Sequence, residues 1–166
     1  MPSLKNNNFV YAVFGVFLLL ALVASLLFGF THTPTWQDAS QYSAYATNLI
    51  SGNGYSLDGN GFSNFREPGV PFFLALVYSV FGTENILAVT LVQVVLLALV
   101  ALMFFLMFRA VGLSRPGVLL GVLILLFPSY GYYTHEVGSE LLFTFFVTLT
   151  TYLAFFVWKK ESEENA

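Results

Sequence analysis

Cysteine is absent from this sequence, and charge is scarce. The first absence excludes disulfides, thiol nucleophiles and cysteine-ligated metals. The second excludes an ordinary soluble domain. Charged residues make up 9% of the chain and hydrophobic residues 57%, whereas soluble domains carry roughly 25% charged residues. With a mean hydropathy of +0.77, too few polar groups exist to cover a water-facing surface. The composition therefore implies an integral membrane protein. The net charge of -3 says little about partners, because it includes the acids of the terminal KKESEENA segment. No basic patch is present, so no nucleic-acid partner is expected.

What the chain does have is long apolar runs. Phe9 to Phe30 is charge-free, and its 22 residues exceed the roughly 20 that a spanning helix needs. A signal peptide has a shorter apolar region, about 7–15 residues, ending at a small-residue cleavage site. No such site stands out, so an uncleaved span over 9–30 is expected. Further charge-free runs give spans over 85–108, 117–133 and 141–158. Pro128 marks a kink or exit near the end of the third. The fourth ends at Trp158, and a cytoplasmic tail is expected over 159–166.

A fifth run, Val70 to Phe81, is too short to cross and suits an interfacial helix. Placing it at the surface over 69–82 leaves a four-span, all-α polytopic protein. Lys5, Arg109, Arg115, Lys159 and Lys160 then share one side, and Arg66 stands alone on the other. That bias assigns the N- and C-termini to the cytoplasm, in a multi-pass protein of the cell (plasma) membrane. Residues 31–84 become an outer loop. Within it, Ala39, Tyr42, Tyr45, Ala46, Leu49 and Ile50 recur at helical spacing. They predict an amphipathic helix over about 36–51, opened by a Thr35–Asp38 capping pattern and stopped by Gly52.

Polar groups gather on the predicted outer face. Asp38 reads either as a first-turn helix acid, favoured by the helix dipole, or as a general base at the membrane surface. Arg66 and Glu67 read either as a surface ion pair or as an anion site, since a guanidinium matches phosphate geometry. His135, Glu136 and Glu140 read as a hydrogen-bonded cluster or as ligand-binding groups. Their spacing is not that of a metal motif, and His32 is the only other histidine. No cofactor is expected, and a divalent metal finds no support in the sequence. The phenylalanines read as lipid-facing and packing surface, and Gln93 as an interhelical hydrogen-bonding group.

Three segments in order carry a resemblance: WQDASQYSAYATNLISGNGYS, then FREPGVPFFLALVYSVFG, then LILLFPSYGYYTHEVGSELLF. With the spans around them, about residues 9–158, they resemble the N-terminal part of the membrane glycosyltransferases of the C superfamily. The similarity is to the protein-mannosyltransferase-like and aminoarabinose-transferase-like branch. The resemblance implies transfer of a sugar from a polyprenyl phosphate to an acceptor outside the cytoplasm. It places the catalytic acid at Asp38 and a donor-phosphate contact at Arg66. Glu67, His135, Glu136 and Glu140 become substrate-side candidates. Family enzymes have more spans, so the groups completing the donor cavity are expected from further sequence, a partner subunit or a second copy.

Two functional classes remain open at this point: a hexosyl- or pentosyltransferase, or a truncated relative of one, and a non-catalytic membrane subunit that binds a lipid-linked glycan for a partner. A transporter would show ionisable or broken sites near the bilayer midplane. The charge-free spans argue against it.

Overall fold

In a computed structural model, the described residues are 37–165 together with helical positions 11, 12, 15, 16, 19, 20 and 23. Most of the expected first span, His32, and the Thr35 and Trp36 of the capping pattern lie outside them. The described residues are all-helical, with no strand. The elements are α1 (Gln37–Ile50), α2 (Gly69–Phe81), α3 (Ile86–Ala110), α4 (Ser114–Leu126), α5 (Pro128–Tyr133) and α6 (Glu140–Glu164).

Among the described residues, α3 and α6 are long and apolar enough to cross a membrane. At 1.5 Å per residue each is about 37 Å long, against a hydrocarbon core of about 30 Å. Asn85 opens α3, its side chain accepting the Ala88 N–H at 3.1 Å. α6 continues through Lys159 and Lys160 to Glu164, where the sequence had suggested a tail. The pairs Lys159–Glu163 and Lys160–Glu164, at 3.5 and 3.6 Å, support that last stretch.

The expected 117–133 span is two helices. Phe127 adopts an extended conformation (ψ 121°) and breaks the run. The cause is Pro128, whose ring excludes helical geometry from the residue before it. α4 alone has 13 residues, about 20 Å, and does not match the bilayer. It packs closely on α3 because position 117 is glycine. A methyl group there would lie 2.7 Å from Phe108 Cβ and 3.3 Å from the Phe105 carbonyl oxygen. Small residues permit such close helix contact in membrane proteins.

α1 and α2 pack against each other and against the first turn of α3. Their shared core contains Tyr42, Ala46, Leu74, Val77, Ala88 and Val89, with Val137 from the α5–α6 turn. This brings α1, the start of α3 and the start of α6 to one end of the molecule. At the opposite end, Lys159 Nζ donates to the Ala110 carbonyl at 2.7 Å. There too the Arg109 guanidinium lies 5.2 Å from the Tyr11 ring centroid.

Candidate functional site at one end of the bundle

Asp38 is the second residue of α1. The unpaired N–H groups of that turn favour a negative charge. The buried face of α1, including Ala39 and Tyr42, pins the helix to α2 and so fixes where Asp38 stands. Its side chain remains half exposed, at 50%.

Arg66 reaches this turn from the α1–α2 loop. The loop is tied down residue by residue. Asn48 Nδ2 donates to the carbonyls of Ser56 (3.0 Å) and Leu57 (3.3 Å). The Tyr45 and Ser63 hydroxyls share a 2.6 Å hydrogen bond. Tyr55 stacks on Tyr45 with centroids 4.5 Å apart, and its hydroxyl donates to the Arg66 carbonyl at 2.7 Å. The Arg66 side chain then has few places to go. Nη2 donates to Asp38 Oδ1, and Nε donates to Gln41 Oε1 at 2.7 Å. The guanidinium carbon lies 5.3 Å from the ring centroids of both Tyr42 and Phe65, within cation–π range.

These contacts set the local charge. Burial opposes the Arg66 charge, but the hydrogen bond and charge of Asp38 outweigh it and hold its pKa above the ordinary value. Burial, then the charge of Glu67, pushes the Tyr42 phenol up, against the downward pull of Arg66. Tyr42 is thus kept as a neutral hydrogen-bonding group.

On the other side of Asp38 lies a cavity of about 60 Å³. Its walls include Tyr42, Tyr133, Glu136, Ser139 and Glu140. Glu136 is buried, and its Oε2 meets no hydrogen-bond partner among the described residues. Glu140 opens α6 and folds back over Gly138, so closely that a methyl at 138 would collide with its carboxylate. A deeper residue holds this wall. Gln93, buried in α3, donates from Nε2 to the carbonyls of Tyr133 (3.0 Å) and Glu136 (2.8 Å).

Beyond Arg66, away from the α6 wall, is a groove of about 420 Å³, within the size range of ligand pockets. Tyr55, Phe62, Phe65, Phe72 and Glu67 line it with Arg66. Phe62 is 82% exposed and Phe65 66%.

Of the residues singled out from sequence, the fold brings Asp38, Arg66, Glu136 and Glu140 to one place. Glu67 faces the groove instead. His135 is buried beside Glu136 in the chain but does not line the cavity. Another acid of the α1–α2 loop, Asp58, stands apart in a turn, accepting the Asn60 N–H at 3.0 Å. Sequence reasoning missed Gln41, Tyr42, Tyr133 and Ser139. Gln41 was within reach of inspection, since it lies three residues after Asp38 and so shares its helix face. Among the described residues, no cluster of His, Asp and Glu has the arrangement to hold a metal ion.

The family model described as dolichyl-phosphate-mannose-protein mannosyltransferase matches residues 66–165. The chain belongs to that family. It is therefore related to the C-superfamily membrane glycosyltransferases, which work in a membrane with a lipid-linked sugar donor. The mannosyltransferase-family match opens at Arg66 and takes in Glu67, His135, Glu136 and Glu140, while Asp38 precedes it. No curated protein matches the chain, and no solved structure does.

Proposed function

We propose that this chain transfers a sugar from a polyprenyl phosphate to an acceptor hydroxyl at the extracytoplasmic membrane face, with Asp38 as general base and Arg66 as donor-phosphate contact. The observation that carries the reading is the contact of Arg66 with Asp38, which lines a cavity together with Glu136 and Glu140. Family membership supports the class of chemistry. In the reaction, the acceptor oxygen attacks the anomeric carbon and the bond to polyprenyl phosphate breaks, with inversion. Asp38 takes the acceptor proton. Negative charge grows on the departing phosphate, where a fixed cation stabilises the transition state more than the ground state. Arg66 has five N–H donors; Asp38, Gln41 and Tyr42 engage some of them, and the others serve the phosphate. The aromatic groove beside it suits the first isoprene units.

The proposed topology has four spans with both termini cytoplasmic. α4 and α5 together make the third crossing, bent at Pro128. The separation of Arg109 and Lys159 at one end from Asp38 and Arg66 at the other supports it. α1 and α2 then lie at the outer surface, where a lipid-borne donor must be met.

The test is turnover by the chain in lipid nanodiscs with a panel of polyprenyl-phosphate sugars. Wild type should transfer. Asp38→Asn should lower the rate by about 10²–10⁴-fold, the usual contribution of a general base, while donor affinity holds within about threefold. Donor binding without turnover in both proteins would instead establish the non-catalytic subunit, with a partner or second copy supplying the remaining groups.

A further inference from the structure

We propose that Glu136, positioned by Gln93, reads a hydrogen-bond donor, a hydroxyl or an ammonium, on the sugar being transferred. The inference rests on the function proposed above and adds a specificity determinant to it. It starts from charge. The cavity walls carry the carboxyl groups of Asp38, Glu136 and Glu140 and no lysine or arginine. Such a cavity repels phosphate and attracts hydrogen-bond donors. The phosphate therefore belongs at Arg66, and the group attached to it, the sugar, belongs on the Asp38 side.

A set of acids alone would not select anything. Glu136 differs from the other two in burial. It is 8% exposed, and its Oε2 is buried without a partner among the described residues. A buried acceptor left unpaired is costly, so a ligand that supplies a donor gains what the free protein lacks. A ligand without that donor gains nothing and still excludes water. Sites of this kind discriminate more strongly than apolar pockets do.

Selectivity also requires that the acceptor stay in place. Both hydrogens of the Gln93 amide go to one turn, at Tyr133 and at Glu136 itself. Gln93 sits in α3, the more buried of the two long helices among the described residues. The backbone of Glu136 is thus anchored to a rigid element, while Asp38 approaches from α1. Gln93 touches no ligand in this scheme. It is a positioning residue.

The experiment measures affinity of the chain in nanodiscs for a short polyprenyl phosphate, its hexosyl and amino-sugar derivatives, and a monodeoxy series. Glu136→Met keeps the side-chain shape and removes the acceptor. It should weaken both sugar-bearing donors by about tenfold and leave the bare polyprenyl phosphate within about twofold. One monodeoxy sugar should show the same loss on wild type and no further loss on Glu136→Met. Glu136→Gln separates the two donor types: it keeps an acceptor without the charge, so a hydroxyl contact should largely survive and an ammonium contact should not. Gln93→Leu should reproduce the sugar-selective loss, and combining it with Glu136→Met should add little. Equal weakening of the bare lipid phosphate, or no effect on any sugar-bearing donor, overturns the inference while leaving the proposed function standing. Failure of wild type to bind any polyprenyl phosphate overturns both.

Discussion

The Arg66 guanidinium and the Asp38 carboxylate are 28 residues apart in sequence and in direct contact in the fold. Their side chains are 19% and 50% exposed. An ion pair open to solvent to that degree contributes about 0–1 kcal/mol, so stability is a weak reason to build it. The contact is better understood as orientation. Gln41 holds one edge of the guanidinium, two rings flank it, and Tyr55 fixes its backbone.

That view makes Arg66→Lys an informative substitution. Lysine keeps the charge but is a point donor without the planar fork, so it does not satisfy Asp38 and Gln41 together. Transfer should fall by about 10²–10³-fold, as when a preorganised donor to a developing anion is lost. Unfolding free energy should move by no more than about 1 kcal/mol. Paired rate and denaturation measurements check both. Unchanged transfer would mean that charge alone suffices and that the fork is irrelevant.

A second prediction concerns the α3–α4 contact. Gly117→Val places atoms where Phe108 and Phe105 already stand. Overpacking of this kind costs about 1–3 kcal/mol. Gly69→Ala is the matched control, because nothing lies within 4 Å of its added carbon. Reversible unfolding in mixed micelles should register a loss for Gly117→Val and little change for Gly69→Ala. Equal behaviour of the two would remove close approach as the reason for glycine at 117.

A third concerns pH and the α1–α2 loop. The Asn60 backbone N–H, then its side chain, holds Asp58 below the usual carboxylate range, with Ser56 helping. A depressed folded-state pKa means that the stabilising contribution is present above the unfolded value, about 3.9. It is lost as pH falls through the lower folded value. Amide exchange at Gly59 and Asn60 should therefore lose protection below about pH 4, and Asp58→Asn should flatten that dependence. Protection that instead faded between pH 5 and 7 would point to a different group.

The elements and the site residues differ in how visible they are in the sequence. α1 and α2 follow from local signals: the spacing of Ala39, Tyr42 and Ala46, and the break at Pro68-Gly69 before a short apolar run. The split at Phe127 was half visible, because Pro128 announces a bend but not whether the helix survives it. Asp38 and Arg66 stood out because charge is rare in this chain. Their contact did not, since it depends on how the loop folds back through Asn48, Tyr45 and Tyr55. Gln93 was conspicuous as an amide in an apolar helix, yet its partners are two backbone carbonyls, which no side-chain pattern encodes. His135 looked as promising as Glu136, yet it is buried without lining the cavity that Glu136 helps to form.

The membrane arrangement yields the last prediction, and the absence of cysteine makes it simple to test. Asn64 lies exposed in the α1–α2 loop and Ser162 lies exposed near the end of α6. Between them come α3, the α4–α5 pair and α6. If α4 and α5 cross together, the chain crosses three times and the two positions face opposite sides. If they turn back at Pro128, it crosses twice and both face the same side. Together α4 and α5 cover 114–133, at most about 30 Å along their axes, close to the thickness of the hydrocarbon core. In intact cells, an impermeant maleimide should label Asn64→Cys and should label Ser162→Cys only after permeabilisation. Labelling of both from outside would place the third crossing in error. Glu136 and Glu140 follow α5 and share a cavity with Asp38, so α3 and the α4–α5 pair must return the chain to the side it left; α6 then makes the third crossing between Asn64 and Ser162.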